Sequence, residues 1–181
     1  YKRQVRAVLV CAALCNDAKL SVPSGPDGTW GALGDPTEAA LLTAAAKAGL
    51  DHDRLVHDHP RTGEAPFDSV RRRMTTVHRT PTGGAKVCLK GAPEAVLVPG
   101  VLADPPGVRD AARREAGRLA AAGYRVLAVA GATVPDAPAD PERAEHGLGL
   151  LGLVAMSDPP KQSAADTLAA CRRAGITPVL I

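Results

Sequence analysis

Residues 69–89 read SVRRRMTTVHRTPTGGAKVCL, and this stretch decides the fold. Residues 69–79 and 85–89 each alternate apolar with polar side chains, the period of a β-strand with one buried face. Between them, TPTGG is turn composition. The spacing predicts an antiparallel hairpin, and so a sheet built by local pairing.

Helical patterns lie on either side. Residues 4–18, QVRAVLVCAALCNDA, place Val8, Cys11, Ala12 and Cys15 on one face of a helix ending near Asn16-Asp17. Residues 21–34 read as a Pro/Gly-rich loop. Residues 36–49 form a stronger helix, with Pro36 in its first turn and Gly49 just past its end. Glu38 falls in that first turn, where a carboxylate suits the helix dipole. The Asp- and His-rich residues that follow read as loop. Beyond the hairpin, residues 93–98 start a short helix, and 108–123 form an amphipathic helix stopped by Gly123. Residues 124–134 and 148–156 are strands, the second dense enough for burial on both faces. At the end come a helix (161–174) and an apolar strand (176–181), the opening of a parallel α/β unit. The expected class is α+β: a twisted antiparallel sheet flanked by helices, with a C-terminal helix-strand piece of another domain.

The 181 residues suffice for one domain, or one domain plus a fragment. A net charge of +3 admits an anionic ligand but is too weak to suggest nucleic acid. The 23% of charged residues excludes wholesale disorder. No apolar run approaches the ~20 residues of a membrane span. The chain opens on Tyr1-Lys2-Arg3 and ends on TPVLI, so a piece of a larger protein is expected. Cys11, Cys15, Cys88 and Cys171 are expected as reduced, buried small hydrophobes. Aromatics make up only 2% of the chain, with a single Phe, Phe67.

Familiar catalytic signatures are missing. There is neither a GxxxxGK[ST] loop nor a GxGxxG turn after a strand, and no GxSxG elbow. Asp51-x-Asp53 does not follow an apolar strand, and His57-x-His59 has no third ligand nearby in sequence; both read as surface loop. Four other segments are more specific. Gly34-Asp35-Pro36-Thr37-Glu38 is at least a helix start. Pro66-Phe67-Asp68-Ser69-Val70-Arg71-Arg72-Arg73-Met74 is at least an edge strand with a basic face. Lys90-Gly91-Ala92-Pro93-Glu94 brings an ammonium out at a strand end, with Gly91 permitting close approach of a ligand. Gly123-Tyr124-Arg125-Val126-Leu127 is at least a helix stop and a strand.

Taken in order, these segments resemble the nucleotide-binding domain of P-type cation-transporting ATPases. ALCNDA (13–18), GDPTEAALL, PFDSVRRRMT, KGAPE and GYRVLAVA each resemble a family segment, and VAMSDPPKQSAADTLAACRRAGI resembles the hinge that returns to the phosphorylation domain. The combination of GDPTE, KGAPE and DPP is most similar to the calcium-pump-like branch. The resemblance covers nearly the whole chain and implies ATP as ligand, as Mg-ATP in a full-length pump. It implies Phe67 as the adenine platform, and one ring is enough for a base to stack on. Arg72 would lie beside the nucleotide, with Arg71 and Arg73 open as alternatives. Met74 would pack near the base, Lys90 line the deep end and Gly91 the floor. Glu38 would accept from the adenine amino group, Arg125 reach the phosphates, and Leu127 add an apolar wall. Departures from the family are Arg72, where it often has Lys, and Lys161, where it often has Arg.

The resemblance also implies domain boundaries, with 1–158 the nucleotide domain and 159–181 the hinge and start of the phosphorylation domain. Asp158, Pro159, Pro160 and Lys161 would form the hinge. The partners implied are the phosphorylation and actuator domains of a membrane-embedded parent, with this domain at the cytosolic face. No DKTGT, TGD or GDGxND segment occurs. Without the acceptor Asp and its Mg²⁺ site, the fragment is expected to bind ATP without turnover. Two alternatives are a non-enzymatic module binding an acidic partner through the basic strand, and a haloacid-dehalogenase-like phosphatase fragment. The latter needs an Asp-x-Asp after an apolar strand.

Overall fold

A computed structural model describes residues 2–21, 30–157 and 163–179. Its centre is a five-stranded antiparallel meander of β3 (Arg61–Asp68), β4 (Arg73–Arg79), β5 (Ala85–Gly91), β6 (Arg125–Val134) and β7 (Gly149–Met156), paired in chain order. A separate two-stranded ribbon pairs β1 (Lys19–Ser21) with β2 (Gly31–Leu33). The expected α+β class is what is found.

Helices cover both sheet faces, which is why β4 and β5 are buried almost throughout. On one face lie α1 (Lys2–Leu14) and α2 (Pro36–Lys47), packing Cys11, Leu14, Cys15 and Leu41 on Met74, Cys88 and Val129. On the other, α4 (Pro93–Val96) and α5 (Pro106–Ala121) close over Val87, Leu89, Ala128 and Ala130. The side chains of β5 divide by the two-residue period of a strand: Val87 and Leu89 face α4 and α5, while Cys88 and Lys90 face the α1/α2 layer. Trp30, Phe67 and Tyr124 are all exposed, so the core among the described residues is aliphatic and sulfur-bearing.

Several expectations need correction. Residues 69–72 form a turn, not the first part of a strand, and Phe67 is the penultimate residue of the preceding strand β3 instead of heading a basic one. Gly63 and Pro66 hid β3 from the pattern. A sheet edge tolerates both residues, and a register shift between Ala65 and Asp68 marks a bulge there. Residues 52–58 are helical (α3, His52–Asp58), with Asp51 capping the Arg54 N–H at 3.0 Å and Asp53 in the first turn. The acidic pair is thus a helix start. β7 is partly exposed along its length because it is the sheet edge, with β6 its only strand neighbour among the described residues. Cys11, Cys15 and Cys88 are buried, but Cys171 is only half-buried because α6 (Ala164–Arg173) buries none of its residues. Residues 176–179 form no strand and leave Ile176 and Val179 exposed, since no described strand pairs with them.

Candidate functional site

The N-terminal ends of β4 and β6 and the C-terminal end of β5 meet at one end of the sheet. Met74 pairs with Lys90, and Gly91 with Ala128. Strand alternation then puts Met74, Lys90 and Leu127 on the face that carries α1 and α2. Beside them opens a cleft of about 490 Å³, within the range of small-molecule sites. Its lining includes all eight residues named from the sequence for the nucleotide: Glu38, Phe67, Arg72, Met74, Lys90, Gly91, Arg125 and Leu127. Asp35, Thr37, Ala92 and Val126 complete it. A cleft of about 530 Å³ adjoins it across Ala92 and Val126, and one of about 570 Å³ opens elsewhere, so volume does not single this one out; its chemistry does. Three cations, two carboxylates, one exposed aromatic ring and a buried thioether converge here.

Each polar group is held by its own element. Asp35 caps α2, accepting from the Thr37 and Glu38 N–H groups at 2.7 and 3.3 Å. Although partial burial opposes it, hydrogen bonding from Thr37 and Glu38 and the nearby Arg125 charge hold the Asp35 carboxyl below its usual range. That cap aims Glu38 inward, where Oε1 accepts from Lys90 Nζ at 2.6 Å and Oε2 from the Asp17 N–H at 2.9 Å. The Asn16 side-chain amide donates to the Glu38 carbonyl at 3.0 Å, tying the end of α1 to the start of α2. Lys90 is 7% exposed, so its charge is compensated chiefly by Glu38. Near it, burial pushes the Cys15 thiol up to about 12, although the Lys90 charge acts the other way. A thiol so raised is inert at neutral pH.

Arg72 is the one non-glycine residue with positive φ, 51°, among the described residues. It occupies the last position of the turn after Phe67, and its guanidinium reaches Glu94 at 2.7 Å on the start of α4. Arg71 and Arg73 turn instead to Glu145, at 2.5 Å each, and Glu145 is 1% exposed. Only Arg72 of the three lines the cleft. The basic run is therefore not the free basic face that docking to an acidic partner needs.

Gly91 has a reason other than ligand approach. A Cβ there would lie 2.5 Å from the Arg73 Cβ and 2.6 Å from the Arg72 carbonyl oxygen, so the close packing is within the sheet. Arg125 is exposed at the start of β6, where an adjoining groove of about 430 Å³ runs past Asp35 and Arg125 to Met156 and Ser157. Asp158, Pro159, Pro160 and Lys161 lie outside the described residues. Sequence reasoning missed Asp35, Asn16 and Glu145. Asp35 was legible as a cap before Pro36; Glu145 carried no local signal.

Residues 4–99 match the family described as P-type ATPase, cytoplasmic domain N. That is more than half of the 181 residues, and the chain belongs to this family. It is 41% identical over 189 aligned positions to the Probable cation-transporting ATPase F of Mycobacterium tuberculosis, covering 98% of this chain and 20% of that protein. It is 39% identical to a cation-transporting ATPase of Synechocystis, over 93% of this chain and 19% of that one. Against the Calcium-transporting ATPase of Bacillus subtilis it is 31% identical, covering 99% and 21%. The chain spans about a fifth of the length of these relatives. No described helix is long and apolar enough to cross a membrane.

Proposed function

We propose that this domain binds ATP in the cleft between β4, β5, β6 and α2. The observation that carries the reading is the convergence of Phe67, Met74, Lys90, Glu38, Arg72 and Arg125 on one cavity from four separate stretches of chain. Adenine stacks on the exposed Phe67 ring and against Met74, with Leu127 adding an apolar wall. Glu38 accepts from the adenine amino group while still holding Lys90, since each carboxylate oxygen has two lone pairs. Lys90 and Arg72 supply positive charge along the nucleotide. Arg125 forks onto the phosphates as a planar donor, and the groove toward Ser157 receives the end of the triphosphate.

The parent protein is proposed to be a cation-transporting pump of the calcium-pump-like branch, embedded in a membrane, with this domain on the cytosolic side. Residues 1–158 form the nucleotide domain. Asp158, Pro159, Pro160 and Lys161 form one strand of the hinge to a phosphorylation domain that begins in 159–181, and an actuator domain completes the cycle. Closure on that hinge brings the γ-phosphate to an acceptor Asp. This 181-residue polypeptide contains no DKTGT segment and binds Mg-ATP without hydrolysing it.

Titration with ATP under amide NMR tests the binding. Saturable shifts centred on Phe67 and Lys90 are expected, and none at millimolar ATP overturns the reading. Phosphate release from Mg-ATP is expected to stay at background. Robust turnover, abolished by Lys90→Met, contradicts the second half.

A further inference from the structure

We propose that Glu145, which does not line the cleft, is a positioning residue that sets where Phe67 and Arg72 stand. The proposal rests on the nucleotide reading of that cleft. Glu145 lies on the loop between β6 and β7, more than 70 residues from the turn it contacts, and is almost wholly buried. Its Oε1 accepts from Arg71 Nη1 at 2.5 Å and from the Thr75 hydroxyl at 2.8 Å, and its Oε2 from Arg73 Nε at 2.5 Å.

The two arginines pass the constraint on. Arg71 Nη2 donates to the carbonyl of Pro66, the residue before Phe67, at 2.7 Å. Arg73 Nη1 donates to the Ala95 carbonyl on α4 at 3.1 Å. Arg72 sits between these anchored neighbours in the left-handed region, with its N–H bonded to the Asp68 carbonyl at 2.6 Å. One carboxylate thus fixes the strand end that carries the ring and both flanks of the cation. A buried acid bonded to two guanidiniums also keeps Arg71 and Arg73 from competing with Arg72 for an anionic ligand.

The single Phe makes the test direct, because uniform 4-fluorophenylalanine labelling yields one fluorine NMR signal, from position 67. Glu145→Gln keeps the shape but faces the arginines with an uncharged amide. In nucleotide-free protein the signal is expected to shift or split, and the Kd for ATP to rise about tenfold. Arg71→Met removes the outer contact alone, leaves Glu145–Arg73 paired, and is expected to act in the same direction more weakly. A purely structural role lowers the unfolding midpoint but leaves the native fluorine signal in place. Folded variants with the parent's fluorine signal and ATP affinity overturn the proposal. A parent that fails to bind ATP overturns the reading of the cleft instead, while the fluorine comparison still decides whether Glu145 positions Phe67.

Discussion

Glu38 and Lys90, 52 residues apart in the chain, form a 2.6 Å ion pair on the inner wall of the cleft. The pair makes Glu38 serve two partners, the ammonium and the proposed adenine amino group, and both need an acceptor. Glu38→Gln places an amide there that also donates. Binding of ATP is then expected to weaken relative to ITP, whose ring carries a carbonyl in place of the amine. The ATP-to-ITP preference should fall on the order of tenfold, about 1.5 kcal/mol for a hydrogen bond to a charged group. Competition binding of the two nucleotides reads this directly, and an unchanged preference removes Glu38 from base recognition.

Phe67 is 65% exposed, so its ring contributes little to the folded core. Phe67→Ala should leave the urea midpoint nearly unchanged while costing about 1–3 kcal/mol of ATP binding, roughly 5- to 150-fold in Kd. Calorimetric titration of both forms checks it; equal affinities take Phe67 out of the site.

Two glycines should respond oppositely to alanine. At Gly91 the new methyl meets β4 backbone, which cannot move aside, so Gly91→Ala should destabilise by about 1–3 kcal/mol. Gly117 lies in α5, where an added methyl meets no neighbouring atom within 4 Å, and Gly117→Ala should stabilise by about 0.5–1 kcal/mol through helix propensity. Paired denaturant curves measure both.

His78 should make stability fall in mild acid. Its Nδ1 lies 3.0 Å from the His59 carbonyl, which can only accept, so Nδ1 carries the proton and Nε2 accepts from the Thr76 hydroxyl at 2.8 Å. Burial pushes the imidazole down to about 4, helped by the charges of Arg61 and Lys86 and by His59, and opposed by the bond to the His59 carbonyl. Between pH 6.5 and about 4 the unfolded chain binds a proton that the native state does not. Stability from this group is therefore full above pH 6.5 and declines toward pH 4, by at most about 1.4 kcal/mol per pH unit. His78→Asn keeps a donor toward His59 and should flatten that limb of the curve. Asp35 and Asp68 titrate below the ordinary carboxylate range, so their own loss of stability comes mainly at the acid end of this limb and the His78→Asn comparison separates the two.

How much was legible depended on range. The 85–89 strand, the α2 start at Pro36 and the Gly123 stop were readable because each is governed by contacts within a few residues. β3 was not, since Gly63 and Pro66 break the strand pattern and are tolerated only because the strand is an edge. α3 was missed because seven residues give too few turns for a helical period to emerge. Of the site, the eight residues named from the sequence for the nucleotide all line the cleft, while the four hinge residues lie outside the described residues; ligand approach is not what requires Gly91: sheet packing does.

The order of the segments and their chemistry belong to the sequence by itself: one Phe, a basic run, a lysine at a strand end, a carboxylate in a helix's first turn. So does the family, because it is written in short motifs. Which arginine faces the cleft, and what compensates Lys90, only the tertiary structure decided. Those assignments are made by Glu145 and Glu38, which meet Arg71, Arg73 and Lys90 across gaps of 52 to 74 residues. A buried charge takes whatever counter-charge packing brings beside it, and no local pattern records that partner.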